Sequence, residues 1–420
     1  MRILWFSVTP SMYGKNTFTH NGGGWIASLE ALIRTSPDVQ LGIAFEHNDA
    51  CFKVERDEVV YYPIPIRYHF FDKLRRICNI NIEEQKIIPE CLKIIDDFKP
   101  DIIHVFGSEW CFGLIAKHTE IPVVIHMQGS IPPYYNARFP VGYSKMDIVF
   151  HNGLDIKRIF NQLKADRKFS QRAKREERIL KICRYYMGRT DWDKNITRLY
   201  NPNSQYFYCG EALRDVFVDS AERWNPHKRN SIILVSTISS PLYKGVDLIL
   251  KTAKLLKENT NINFNWHIFG VKNIAFHEKK TKIKATDFNI KLMGVASANK
   301  LKEELLNADI YIHPSYIENS PNSICEAQIL GLPVICTNVG GTCSLVKHEK
   351  TGLLFPANDP FTLCSYIIRL FWNKTLAYEL GNAAHHTAIV RHNNETIIHN
   401  LLEIYRKVIV IHKEKRDETI

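Results

Sequence analysis

The chain lacks several features that would define its class at once. No run of eighteen apolar residues occurs in its 420 residues, so it offers no candidate membrane span. The first apolar run, Ile3-Leu-Trp-Phe-Ser-Val8, is too short for a signal-peptide core and reads as a buried strand. The ten cysteines form no Cys-x-x-Cys pair, and Cys111, Cys325 and Cys336 lie within apolar runs. Buried free thiols in a reducing compartment are therefore expected. No His-Glu-x-x-His spacing occurs, and no acidic triad or Asp-x-Asp signature is read on a strand end. No metal, structural or catalytic, is expected. Short-period repeats and low-complexity tracts are also missing.

What is present is an ordinary globular balance, 45% hydrophobic and 24% charged. The length fits two α/β domains of about 200 residues each. The formal net charge of +11 suits nucleic acid, an anionic membrane or a phosphorylated substrate, and charge alone does not choose among them. A nucleic-acid partner lacks any recognition motif to support it. A cytoplasmic protein is expected, with any membrane contact peripheral and at the inner face.

Along the first half, short apolar runs alternate with amphipathic stretches. Strands are expected at 3–8, 39–45, 101–105 and 123–127, with helices at 25–34, 83–98 and 110–119. Such alternation predicts parallel βαβ units, which bind ligands beyond the carboxyl ends of their strands. Residues 155–184 are dense in Lys and Arg, with apolar residues at helical spacing, and read as a basic helical pair. The pair is either a solvated face or a surface for an anionic acceptor or membrane. Arg223-Trp-Asn-Pro-His-Lys-Arg-Asn230 reads as a linker. The alternation then restarts, with strands at 231–235, 263–269, 290–293, 310–313 and 334–337. The helices between them are expected at 245–258, 298–307 and 323–330. The expected domains are 1–226, 227–394 and a helical tail, 395–420, packing back on the first. Two such Rossmann-like domains suggest a ligand cleft between them.

The sharpest motif is Glu318-Asn-Ser-Pro-Asn-Ser-Ile-Cys-Glu326. Glu318 falls in a loop after a strand, and Glu326 falls within the next helix. Backbone amides at the turn Asn319, Ser320, Asn322 and Ser323 can hold a phosphate, helped by the helix dipole. A carboxylate in the helix can accept from both hydroxyls of a ribose, and one in the loop can bond sugar hydroxyls. One stretch thus offers partners for every part of a nucleotide sugar. Upstream, Lys244 precedes Gly245 at the mouth of a helix, where an ammonium can neutralise a diphosphate leaving group.

Five segments, taken in order, carry a resemblance. They are Tyr311-Ile-His-Pro-Ser315, Glu318 to Glu326, Ala327-Gln-Ile-Leu-Gly-Leu-Pro-Val-Ile335, Val339-Gly-Gly-Thr342 and Thr351-Gly-Leu-Leu-Phe355. Together they resemble retaining glycosyltransferase family 4 of the GT-B fold, of the bacterial polysaccharide-biosynthesis type. The resemblance covers most of the second half and, more loosely, the first. It implies two facing Rossmann-like domains and sugar transfer with retention from a nucleotide diphosphate sugar to a hydroxyl acceptor. It also implies a glycan or lipid-linked acceptor and no metal requirement. The family usually carries an arginine five or six residues before the lysine; here Ser239 and Ile238 stand there, so half of the usual basic clamp is missing. The family's glycine-rich loop after the first strand is matched by Gly22, Gly23 and Gly24, expected near a phosphate or acceptor hydroxyl. Its strand-end histidine is matched in position by Gln128, with His126 two residues earlier. Arg189, in Gly188-Arg-Thr-Asp-Trp192, is expected to contact an acceptor phosphate or the donor sugar. The expected catalytic set is Lys244, Glu318, Gln128 and His126. Alternative readings are a sugar-nucleotide epimerase of the same fold and a nucleotide-sugar-binding protein without catalysis.

Overall fold

Strands buried on both faces of a parallel sheet need continuous apolar runs rather than alternation. Ile3–Phe6 and Ile102–Phe106 supply such runs and form such strands in the computed structural model. The structure describes residues 1–14, 24–47, 52–65, 72, 79–151, 153, 155–239 and 242–417. The chain divides into two units. One holds residues 1–135, 156–212 and 393–420, and the other holds 136–155 and 213–392.

The first unit carries an eight-stranded sheet. Its strands are β1 (Arg2–Ser7), β2 (Gln40–His47), β3 (Val54–Arg56), β4 (Val59–Pro65), β5 (Ile102–Phe106), β6 (Val123–His126), β7 (Tyr185–Gly188) and β8 (Gln205–Tyr208). They lie in the order β3-β4-β2-β1-β5-β6-β7-β8. All neighbours run parallel except β3 against β4. The chain runs outward from β1 on one side and resumes at β5 on the other. The β1/β5 edge is thus the switch point, where open α/β sheets leave a crevice. The C-terminal helix Asn394–Asp417 buries Ile397, Leu401, Ile404, Tyr405 and Val408 in this unit's core. Its Tyr405 hydroxyl meets Trp5 Nε1 at 3.2 Å and His104 Nδ1 at 2.6 Å.

The second unit carries six strands, all parallel: β9 (Ser231–Thr237), β10 (Asn263–Phe269), β11 (Ile290–Gly294), β12 (Ile310–His313), β13 (Val334–Thr337) and β14 (Leu353–Phe355). Their order, β11-β10-β9-β12-β13-β14, puts the switch point between β9 and β12. The loop holding Lys244 follows β9, and the loop holding Glu318 follows β12. The two motifs of the second half therefore leave the sheet at one edge.

The structure departs from the sequence reading at several places. Residues 155–184 form one continuous helix, Ile156–Ile182, not a pair; Ala173, Ile179 and Leu180 anchor its second half in the core. The segment expected as a helix at 110–119 is a 3-10 turn, Cys111–Lys117. Arg223–Asn230 is not the linker. Trp224 is buried in the second core and donates from Nε1 to the Ala308 carbonyl at 2.6 Å, so the division falls earlier, between Ala212 and Leu213. Residues 136–155, expected in the first domain, fold with the second unit, where Asp147 pairs with Lys280 at 2.7 Å. The eight cysteines among the described residues are all free thiols, and seven of them are buried. Among the described residues, no helix is long and apolar enough to cross a membrane.

Candidate active site

In the second unit, the chain leaves β9 through Ile238, which is buried, and makes a short turn over Leu242–Lys244. Gly245 follows at φ +81°, and a Cβ there would lie 2.1 Å from the Pro314 carbonyl oxygen. Only glycine fits, so the helix Val246–Asn259 starts directly against the loop that follows β12. The Tyr316 amide donates to the Tyr243 carbonyl at 2.6 Å, and the Tyr316 hydroxyl donates to Asp247 Oδ2 at 2.9 Å. These bonds join the two loops. Gly340, at φ +53°, is held the same way. Its Cβ would stand 1.9 Å from the Glu318 carbonyl oxygen, and the Gly341 amide donates to that oxygen at 3.0 Å.

This scaffold holds a buried charge cluster. Lys244 Nζ lies 2.5 Å from Glu318 Oε2. The same oxygen is met by His313 Nε2 at 3.2 Å and Ser315 Oγ at 3.3 Å. Burial raises the Glu318 carboxyl, but the Lys244 ammonium and the His313 hydrogen bond outweigh it and hold the group well below the usual carboxylate range. Burial lowers His313 against the opposing pull of Glu318, so its ring is neutral. The relay continues from His313 Nδ1 to the Tyr311 hydroxyl at 3.4 Å, and from there to Thr237 Oγ1 at 2.7 Å.

The helix Asn322–Leu330 begins at Pro321, which provides no side-chain cap for its amides. A helix mouth of this kind suits an anion. Asn319 and Ser320 are buried, while Asn322 and Ser323 are half-buried. Glu326 is buried within the helix, and burial raises its carboxyl against the opposing pull of Arg214. Arg214 donates from Nε to Glu326 Oε1 at 2.8 Å, and its Nη2 lies 2.7 Å from the same oxygen. Neither Arg214 nor His313 received a role from sequence. His313 was within reach, because it sits inside the quoted Tyr311–Ser315 motif. Arg214 lies 112 residues before Glu326, and no spacing points to it.

The first unit gathers its expected residues less closely. Gly22 and Gly23 lie outside the described residues. Gly24 opens the helix Gly24–Ile33, where an added Cβ would meet nothing within 4 Å among the described residues. His126 ends β6 and is buried, 5.1 Å edge-on from Trp25 and 5.4 Å stacked from His104. Neither ring nitrogen has a hydrogen-bond partner among the described residues. Burial, reinforced by the Arg189 charge, lowers the ring to about 3. His126 is therefore neutral, with both ring nitrogens buried. Gln128 lies past the strand end, half-buried beside Gly107, so it does not share a strand face with His126 as expected. The Arg189 side chain is 5% exposed and pairs with Glu211 at 2.9 Å, so its guanidinium holds the loop rather than standing open to an acceptor phosphate.

Two further acidic features emerge. Asp191-Trp-Asp193 has the Asp-x-Asp spacing that the sequence reading passed over. It forms the first turn of the helix Asp191–Tyr200, with Asp193 buried beside the Thr190 cap, and not a strand end. Among the described residues, no group of three His, Cys, Asp or Glu side chains could hold a metal. Glu176, from the long helix, accepts from Ser108 Oγ and the Ile131 amide, both at 2.7 Å. Burial, with the Glu109 charge behind it, pushes its carboxyl up to about 8.

Comparison with known proteins fits this geometry. Residues 219–387 match the family described as glycosyl transferases group 1. An amylovoran biosynthesis glycosyltransferase of Erwinia amylovora is 26% identical over 282 residues, covering 63% of this chain and 64% of that one. A UDP-Gal:alpha-D-GlcNAc-diphosphoundecaprenol alpha-1,3-galactosyltransferase of Escherichia coli is 30% identical over 156 residues, covering 36% and 39%. Both matches span less than two thirds of the relative's length. The solved structure of a sucrose-phosphate synthase from Thermosynechococcus elongatus superposes with a TM-score of 0.68 at 14% identity, over 98% of this chain and 99% of that one. The fold is GT-B, with two Rossmann-like parallel-sheet units. Within the second unit, residues 219–387 are similar to the group 1 glycosyl transferases.

Proposed function

We propose that the chain transfers a glycosyl group from a nucleoside diphosphate sugar to a hydroxyl acceptor, with retention, in the assembly of a surface polysaccharide or lipid-linked glycan. One observation carries this reading. The Lys244–Glu318–His313 cluster and the mouth of the helix holding Glu326 leave one switch point of a group 1 domain. Departure of the nucleoside diphosphate is the demanding step. The Lys244 ammonium and the helix amides stabilise the charge that develops on it, in a buried setting where such interactions are strong. Glu326 takes the ribose hydroxyls and Glu318 the sugar hydroxyls. Lys244 keeps Glu318 ionised and therefore able to accept from them.

Retention rests on the family resemblance, which favours attack on the face from which the diphosphate departs. The C–O bond to phosphate breaks as the bond to the acceptor oxygen forms, and the acceptor proton passes to the departing phosphate oxygen. Relatives in amylovoran synthesis and in galactosyl transfer to a diphosphoundecaprenol-linked sugar support the acceptor class.

A thermal-shift panel of UDP-, GDP-, ADP- and CDP-sugars identifies the donor, because a ligand bound only by the folded state raises the melting temperature. Release of nucleoside diphosphate is then followed with and without a lipid-linked glycan acceptor, and NMR reads the anomeric configuration of the product. Acceptor-dependent release with a retained anomer is expected. Acceptor-independent release of free sugar would establish the epimerase-type alternative, and binding without turnover the inactive one.

A further inference from the structure

A carboxylate buried in a helix is costly unless it is paired. The cation that pairs with Glu326 is brought from outside the motif. Leu213 is buried in the second core, and Arg214 follows it with an extended backbone at the start of the short helix Asp215–Val218. Its guanidinium lies 4.9 Å over the Phe217 ring, which restricts the side chain. Its one hydrogen bond to Glu326, from Nε, and its close Nη2 contact both fall on Oε1. Oε2 accepts no hydrogen bond among the described residues, although Glu326 is only 4% exposed. Arginine–carboxylate pairs are frequently two-on-two forks that satisfy both oxygens. Here one oxygen is held and the other is left.

We propose that Arg214 is a positioning residue for the donor: it anchors Glu326 through Oε1 and reserves Oε2 for the ribose diol of the nucleoside diphosphate. The inference rests on the assignment of Glu326 to the ribose. Arg214 does two things in this role. It fixes the carboxylate rotamer before the donor arrives, so less ordering remains to be done on binding. Its charge also opposes the upward push of burial on the Glu326 carboxyl, and an ionised carboxylate is the stronger acceptor for hydroxyl donors. Without the guanidinium, burial acts alone and the carboxyl protonates at higher pH. Ribose recognition then fails first on the acidic side and returns as pH rises.

The test is calorimetric binding of UDP, GDP, ADP and CDP, together with the 2′-deoxy form of whichever binds, between about pH 5.5 and 8.5. The parent, Glu326→Gln, Arg214→Met and Arg214→Lys are compared. The parent should prefer the ribonucleotide by about tenfold or more. Glu326→Gln should abolish that preference. Arg214→Met should abolish it near the acidic end and recover part of it near the alkaline end. Arg214→Lys, which keeps the charge but not the fork, should restore part of it at every pH. A purely structural Arg214 would weaken ribo- and deoxyribonucleotide alike and leave the pH profile unmoved, which overturns the proposal. If Glu326→Gln keeps the preference, the ribose assignment itself fails, and Arg214 falls with it. If none of the four nucleotides binds the parent, the donor reading fails as well. Should Arg214→Met not fold, the lysine variant and its pH profile decide the same question.

Discussion

Removal of the Lys244 charge tests the centre of the site. Lys244→Met keeps the side chain's approximate length and strips the ammonium from a carboxylate that is only 8% exposed. The remaining partners of Glu318 Oε2 include a neutral histidine and a hydroxyl, neither of which replaces a full charge. Breaking a buried ion pair from one side costs about 3–5 kcal/mol, because the surviving charge is left uncompensated. For a unit of about 200 residues, each kcal/mol moves the melting temperature by about 2–4 °C, so a drop of at least about 6 °C is expected near neutral pH. The loss should depend on pH. The folded-state carboxyl of the parent is held below its unfolded value, so its contribution is complete above the unfolded value and is lost only in strong acid. In the variant, burial raises the carboxyl, and protonation relieves the cost as pH falls. The gap between parent and variant should therefore be widest at neutral pH and narrow towards about pH 5. The double variant Lys244→Met/Glu318→Gln carries neither charge and should regain most of the stability while remaining inactive. Differential scanning fluorimetry across pH reads all of this. An unchanged melting temperature in the single variant, or a double variant less stable than the single, would refute the reasoning.

Three other perturbations separate scaffold, chemistry and surface. Gly340→Ala drives a Cβ to 1.9 Å from the Glu318 carbonyl oxygen at a φ of +53°, so about 1–3 kcal/mol of strain or a displaced Glu318 is expected; a parental melting curve and parental donor affinity together would contradict the close-approach argument. Activity should survive EDTA, with Lys244 and the helix mouth supplying the neutralisation; loss of turnover in chelator, restored by manganese or magnesium, would assign that work to a metal. Anionic vesicles should bind the chain in a salt-sensitive way through the start of the helix Ile156–Ile182, where Lys157, Arg158, Arg167 and Lys168 are exposed and each basic side chain is worth about 1 kcal/mol. Ile156, Phe160 and Leu163 are exposed on the same half, so Phe160→Ser should weaken that binding too; flotation that ignores salt, lipid charge and this substitution would leave the helix a solvated face.

The sheets were legible because their strands are apolar on both faces, and that pattern survives without any knowledge of partners. β1, β2, β5, β6 and β9 to β13 were all expected within a few residues. β3, β4, β7, β8 and β14 were not placed: Val59–Pro65 is interrupted by proline, and Tyr185–Gly188 and Gln205–Tyr208 carry no Val, Ile or Leu to mark them as apolar runs. The long basic helix was misread for another reason. Its composition suggested a basic pair, either a solvated face or a surface for an anionic partner, yet Arg175 is buried against Glu83 at 2.9 Å, and Arg178 pairs with Glu84. Arg175 is therefore unavailable to an anionic surface. A charge run shows sign but not pairing, and pairing decides which end of the helix faces water.

The site divides along the same line. Lys244, Glu318, Glu326 and the helix mouth were visible because each depends on a local turn: glycine at positive φ before one helix, proline at the start of the other, and a fixed distance from a strand end. What stayed hidden are the partners that set their charge. His313 tunes Glu318 from the strand before it, and Arg214 tunes Glu326 from 112 residues upstream. Arg189, expected to meet an acceptor phosphate, is the mirror case: a cation near the end of a strand whose carboxylate partner, Glu211, appears only when the chain folds back. Glu211 and Arg214 are three residues apart, with buried Ala212 and Leu213 between them. The segment that passes from one unit to the next is thus fixed in each by a salt bridge to a residue that the sequence had marked for the site. Spacing finds the groups that touch a substrate when they share a motif. The groups that decide whether those residues are ionised come from elsewhere in the chain, and only burial and distance reveal them.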